Sequence, residues 1–157
     1  MLALIAIALV LHLAEEYVAF PLYMPSLGRQ LPWWLPSPAL RHSMTTLHVA
    51  LILGAVLPSL VIVCAIVSRA HGFLLASLVV EAILLVNAFA HMLTAILRGG
   101  YVPGLITAVL INLPFGIYVF RRAVKDRWIR NYRAWQLLFA AFAVHVVWLV
   151  CGVISAK

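Results

Sequence analysis

A histidine and two glutamates fall within five residues, HLAEE at 12–16, inside an otherwise apolar run. Imidazole nitrogens and carboxylate oxygens are ligands for Zn, Fe or Mn, and they are also the side chains that most often move protons. On a helix of 3.6 residues per turn, His12 and Glu16 lie roughly 40° apart on one face, while Glu15 flanks His12 from three residues on. Asn87 and His91, in NAFAH, repeat the four-residue spacing. Glu81 stands about 80° from His91 by the same period and reaches such a site from the flank. His12, Glu15, Glu16, His91 and one of His48 or His145 suffice for one divalent ion with an open position, and Glu81 makes a second ion conceivable.

The expected ligands are therefore His12, Glu16 and His91, with Glu81, His48 and His145 as further candidates. The spacing H-x-x-E is, in reverse order, that of the Glu-x-x-His pairs of helical-bundle carboxylate proteins. Glu15, rotated by about 100° from Glu16, is expected to reach the site from the side as an acid or base. Asn87 and the Pro103–Gly104 turn are expected to orient a substrate or offer donors.

The elements that must position these groups are membrane spans. Of the 157 residues 66% are apolar and 10% charged, and only four are acidic. Three of the four, Glu15, Glu16 and Glu81, sit in long apolar runs. A span needs roughly 20 apolar residues. Five stretches qualify, near 2–20, 46–68, 73–97, 102–120 and 134–155, which predicts a single all-α membrane domain, a polytopic bundle of about five helices. The first stretch lacks a basic residue ahead of its apolar run and a small-x-small cleavage pattern, so it is expected to be retained rather than removed as a signal peptide. Cys64 and Cys151 fall in separate spans as packing residues. Pro114 is expected to be a tolerated kink.

Basic residues in loops mark the cytoplasmic side. RRAVKDRWIRNYR, 121–133, is the dominant signal, and it places the amino terminus inside and the carboxyl terminus outside. The segment 21–42, with five prolines and the Trp33–Trp34 pair, is then external. Its prolines argue against a regular helix, and it is expected to lie along the interface as a lid. On this topology His12, Glu15, Glu16, His48, Glu81, Asn87, His91, Thr107, Asn112 and His145 occupy one slab from the midplane outward. Each ionisable group in hydrocarbon costs about 2.5–3.5 kcal/mol, so a shared depth argues for function.

HLAEE matches the H-x-x-E-E motif of the HXXEE-domain membrane proteins, NAFAH resembles their N-x-x-x-H motif, and GGYVPG at 99–104 resembles the aromatic-x-Pro-Gly segment that follows. The ordered trio resembles that family from the first span to the fourth. The resemblance implies a small helical membrane protein with the motif residues as an active or metal site, and no particular reaction.

A buried salt bridge does not account for Glu15 and Glu16, because every Lys and Arg lies in a loop or at a span end. The expectation is a metal-dependent enzyme acting on a lipid-like or membrane-soluble substrate, with hydrolysis first and iron-dependent oxidation or isomerisation next. The alternative is a proton-coupled carrier or channel using the Glu/His cluster as a relay. A third reading, an assembly factor, needs the cluster only for packing. His145 alone reads as a bundle hydrogen-bonder and Asn112 as interhelical glue. The basic loop reads as topogenic charge in contact with the bilayer, with no nucleic-acid partner expected. A homo-oligomer is left open.

Overall fold

The computed structural model describes residues 1–30 and 44–154, with side chains described within 1–23 and 47–147. The chain is helical with no strand among these residues. Helix α1 is Leu2–Gln30, α2 is Met44–Ser68 and α3 is His71–Arg98. Helix α4 is the continuous run Leu105–Lys125, and α5 is Asn131–Ile154. Four segments are long and apolar enough to cross a membrane: Leu2–Tyr23, Leu47–Ser68, His71–Arg98 and Leu105–Lys125. Helix α5 stands where the sequence places its last span.

The segment after residue 20 differs from expectation in its first part. Helix α1 does not stop at Pro21 but continues through Pro21 and Pro25 to Gln30. A proline removes one bond to the carbonyl four residues back without forbidding the helical backbone on either side. The expected Trp33–Trp34 lid lies outside the described residues.

Helix α3 is the central element, packed against each of the other four. Small side chains let the helices approach: Ala8, Ala65, Ala82, Ala88, Ala108, Ala123 and Ala141 are all buried. Around them Ile5, Leu9, Ile62, Leu78, Leu85, Val119 and Phe120 fill the core. The outward faces are apolar as well, with Leu22, Val67, Leu97, Leu110 and Phe139 each more than two-thirds exposed. A helix that is apolar all round suits hydrocarbon rather than water.

Two local features shape the bundle near the polar residues. Helix α3 ends at Gly99 in the left-handed region, φ 65°, with the amides of Gly99 and Gly100 returning to the carbonyls of Ile96 and Ala95. That closure turns the chain back so that Val102, Pro103 and Gly104 are buried at the head of α4. Helix α4 then contains one π turn, Ala108–Asn112, directly before its Pro114. Pro114 brings no N–H to the ladder, so the helix absorbs it by widening one turn instead of kinking sharply.

Candidate metal centre

The four-residue phase on α1 and α3 does what periodicity requires. His12 and Glu16 turn the same way into the bundle and are buried, and His91 meets them from α3. Glu16 Oε1 lies 3.1 Å from His91 Nε2 and 3.8 Å from His12 Nε2. Among the described residues these three form a group whose ligand atoms all lie within 4.8 Å of one another, and they could hold a metal ion. The imidazole rings meet edge to face, with centroids 5.1 Å apart.

Asn87 sits between the rings. Its Nδ2 is 2.7 Å from His12 Nε2 and 3.1 Å from His91 Nε2. The amide donates to His12 Nε2, whose ring proton lies on Nδ1, and stands within reach of His91 Nε2. His91 Nε2 also lies 3.1 Å from Glu16 Oε1, a contact that a ring proton or a cation satisfies.

Glu15 points elsewhere than expected. Its Oε1 accepts from the Tyr101 hydroxyl at 2.8 Å and from the Ile106 amide at 3.1 Å. Its Oε2 accepts from the Thr107 amide at 2.7 Å and the Thr107 hydroxyl at 2.6 Å. Four donors fill the four lone-pair positions of one carboxylate. The reason lies at the head of α4. Gly104 occupies the cap position at φ 85° and has no side chain to satisfy the first amides, so a carboxylate from α1 supplies the cap across the bundle. Burial and the bond to Glu15 together push the Tyr101 phenol up to about 12.

Thr107 carries the effect into the cluster. Its single hydroxyl proton goes to Glu15, so its oxygen accepts from His12 Nδ1 at 2.8 Å. That bond puts the ring proton on Nδ1 and leaves Nε2 with a lone pair, which accepts from Asn87 and is the atom an ion would take. Gly104 completes the wall. A Cβ there would stand 2.9 Å from the Cε1 atoms of both His12 and His91, so only glycine lets the backbone lie against the rings.

The remaining sequence candidates lie outside this group. His48 stacks on Tyr17 with centroids 4.1 Å apart, and its buried Nε2 has no hydrogen-bond partner. His145 of α5 lies within electrostatic range of His91. Glu81 is completely buried, and neither oxygen has a hydrogen-bond partner. A Cβ on Gly116 of α4 would stand 2.9 Å from its Oε1. Asn112, one turn before Gly116, is likewise completely buried with both amide atoms unpartnered. Sequence reasoning gave no role to Thr107 and none to Tyr101 individually. The available signal was the Pro-Gly pair at a helix start with no capping side chain of its own, which requires an acceptor from another element.

Two imidazole nitrogens and one carboxylate oxygen are the donor set of catalytic zinc sites with an open position, and also suit Fe or Mn. The tautomer of His12, the 3.1 Å approach of His91 Nε2 to Glu16 Oε1 and the close glycine backbone all fit such an ion. Comparisons with curated proteins and with solved structures return no match. Residues 3–119 match the family described as proteins of unknown function with an HXXEE motif, and with most of its length inside that match the chain belongs to this family.

Proposed function

We propose that the protein is an integral membrane metalloenzyme whose ion is held by His12, Glu16 and His91, and that it hydrolyses an ester, amide or phosphate bond in a lipid-like substrate. The observation that carries this reading is the convergence of three acceptor atoms within 4.8 Å, one of them held in its ligating tautomer by Thr107 and Glu15. Bound there, a divalent ion supplies Lewis-acid polarisation of a carbonyl or phosphoryl oxygen. The chain's own groups divide the remaining work. Glu15, through Thr107, sets the orientation of His12 and fixes the head of α4. Asn87 would give up its bond to Nε2 when the ion takes that lone pair, and its freed amide would orient substrate beside the rings. With Glu15 engaged by four donors, the proton-transfer role passes in this reading to a histidine, and His145 of α5, within electrostatic range of His91, is the one we assign.

The proposed setting is five membrane-crossing helices with the amino terminus and the 121–133 loop cytoplasmic. Lipid-exposed apolar faces and the clustered Arg and Lys residues of that loop support it. A cysteine placed at Ser37 is labelled from outside and one placed at Asp126 is not; the reverse pattern overturns the orientation.

The metal is tested on purified full-length protein. Near-stoichiometric Zn, Fe or Mn is expected, and His12→Ala or His91→Ala loses most of it while the helical content is retained. Folded protein that carries no metal, and whose melting temperature does not move when these metals are added, overturns the metalloenzyme reading. A second reading then takes its place, a proton-coupled carrier. It is favoured by one specific feature, the completely buried Glu81 and Asn112, whose side-chain polar atoms have no hydrogen-bond partners.

A further inference from the structure

The end of the bundle remote from the His/Glu cluster holds a second concave site. His71 starts α3 and His91 lies 20 residues along it, about 30 Å away at 1.5 Å per residue. At the His71 end a cavity of about 420 Å³ is lined by His71, Arg127, Trp128, Arg130, Tyr132 and Arg133. Three arginines, a histidine and two aromatic residues thus line one hollow.

No carboxylate answers them. The chain has four acids. Glu15 and Glu16 belong to the distant cluster, Glu81 is buried inside the bundle, and Asp126 is engaged by Arg122 at 2.6 Å. Two long helices, α3 and α5, also begin at this cavity, and neither has an acidic residue in its first turn. Ala70, the cap residue of α3, offers no side-chain bond to the amides that follow. The partial positive ends of both helices therefore add to the arginine charge instead of being offset by the chain.

Orientation in a membrane requires only that basic residues lie near the ends of spans. It does not require them to line one cavity together with aromatic rings. We propose that this cavity binds a phosphate-bearing anion, held by the paired N–H forks of the arginines and flanked by Trp128 and Tyr132. Guanidinium forks match phosphate oxygens bidentately, and a cavity of this size takes a phosphorylated head group or small metabolite. This inference does not depend on the metal reading, since it uses different residues at the other end of the fold.

The test uses the full chain purified in neutral detergent at constant ionic strength. The probes are glycerol phosphate, dioctanoyl phosphatidic acid, and dioctanoyl phosphatidylcholine as a zwitterionic control. A saturable rise in melting temperature with the phosphate monoesters, exceeding any rise with the control, supports the site. An Arg130→Gln/Arg133→Gln variant then binds about tenfold or more weakly. Equal response to both monoesters assigns a soluble phosphate; response to phosphatidic acid alone assigns a membrane lipid. No saturable response to either monoester, or an undiminished one in the Gln variant, overturns the proposal and leaves the loop as orienting charge. Should the Gln variant fail to fold, Arg130→Lys/Arg133→Lys keeps the charge and removes the forks. Wild-type affinity in that variant overturns the proposal equally.

Discussion

Two sets of buried polar groups lie between α3 and its neighbours, and they are built on opposite plans. In the outer set His12, Glu16, His91 and Asn87 converge, and a supporting chain of Thr107 and Glu15 fixes the central ring. In the inner set Glu81 and Asn112 are more deeply buried, yet none of their polar side-chain atoms finds a partner. Burial of a polar group is costly in both, but only the outer set spends further side chains on geometry. Depth and charge alone therefore do not identify the site; convergence with support does.

The sharpest way to break this comparison is to remove a converging ligand. Glu16→Gln is expected to empty the site, leaving less than about a tenth of the wild-type metal content by elemental analysis. Full metal content in that variant removes Glu16 from the ligand set. Gly104→Ala comes next. Its Cβ meets both imidazole rings at 2.9 Å and its backbone stays at φ 85°, so strain on the order of 1–3 kcal/mol is expected together with loss of metal. Thermal unfolding and metal analysis on the same sample check both. An unshifted melting temperature means the turn does not press on the rings.

Support without ligation gives a smaller effect. Thr107→Val keeps the shape and removes the hydroxyl that sets the His12 tautomer, and a loss of roughly 10–100-fold in metal affinity is expected by competition with a chelator. Glu15→Gln acts through the same hydroxyl and also weakens the cap of α4, so it lowers stability by more than Thr107→Val, which leaves the buried His12 Nδ1–H without its acceptor. Equal stability in the two variants means the cap contributes little. The smallest effect belongs to the inner set: Glu81→Gln leaves metal content unchanged and moves stability by less than about 1 kcal/mol. Metal loss in that variant joins the two sets and ends the comparison.

Much of this was legible in the residues. Apolar runs gave the helices, and the four-residue spacings put His12 with Glu16 and Asn87 with His91 because helical phase is local. By spacing Glu81 is expected to reach the site from the flank despite its angular offset, but in the structure it lies outside the group of three. Glu15 was not legible. Its rotation away from Glu16 was clear, but what it meets is the head of α4, and that juxtaposition depends on how α3 turns back at Gly99. The helical path through Pro21 and Pro25 was missed because proline weakens a helix without forbidding it. The π turn at Ala108–Asn112 answers Pro114 in three dimensions and leaves no periodic mark in AVLIN.

The cap of α4 by Glu15 has a consequence for how the chain is made. Donor and acceptor are 92 residues apart, Thr107 to Glu15. At ribosomal speeds of about 5–20 residues per second, the first helix waits roughly 5–20 s with an unmatched carboxylate before its partner is synthesised. In the proposed membrane setting the nascent chain can release that carboxylate into the bundle only once the fourth helix has arrived. Assembly thus acquires an order: the first helix is made early, and its carboxylate is matched only when the head of α4 arrives, before α5 is made.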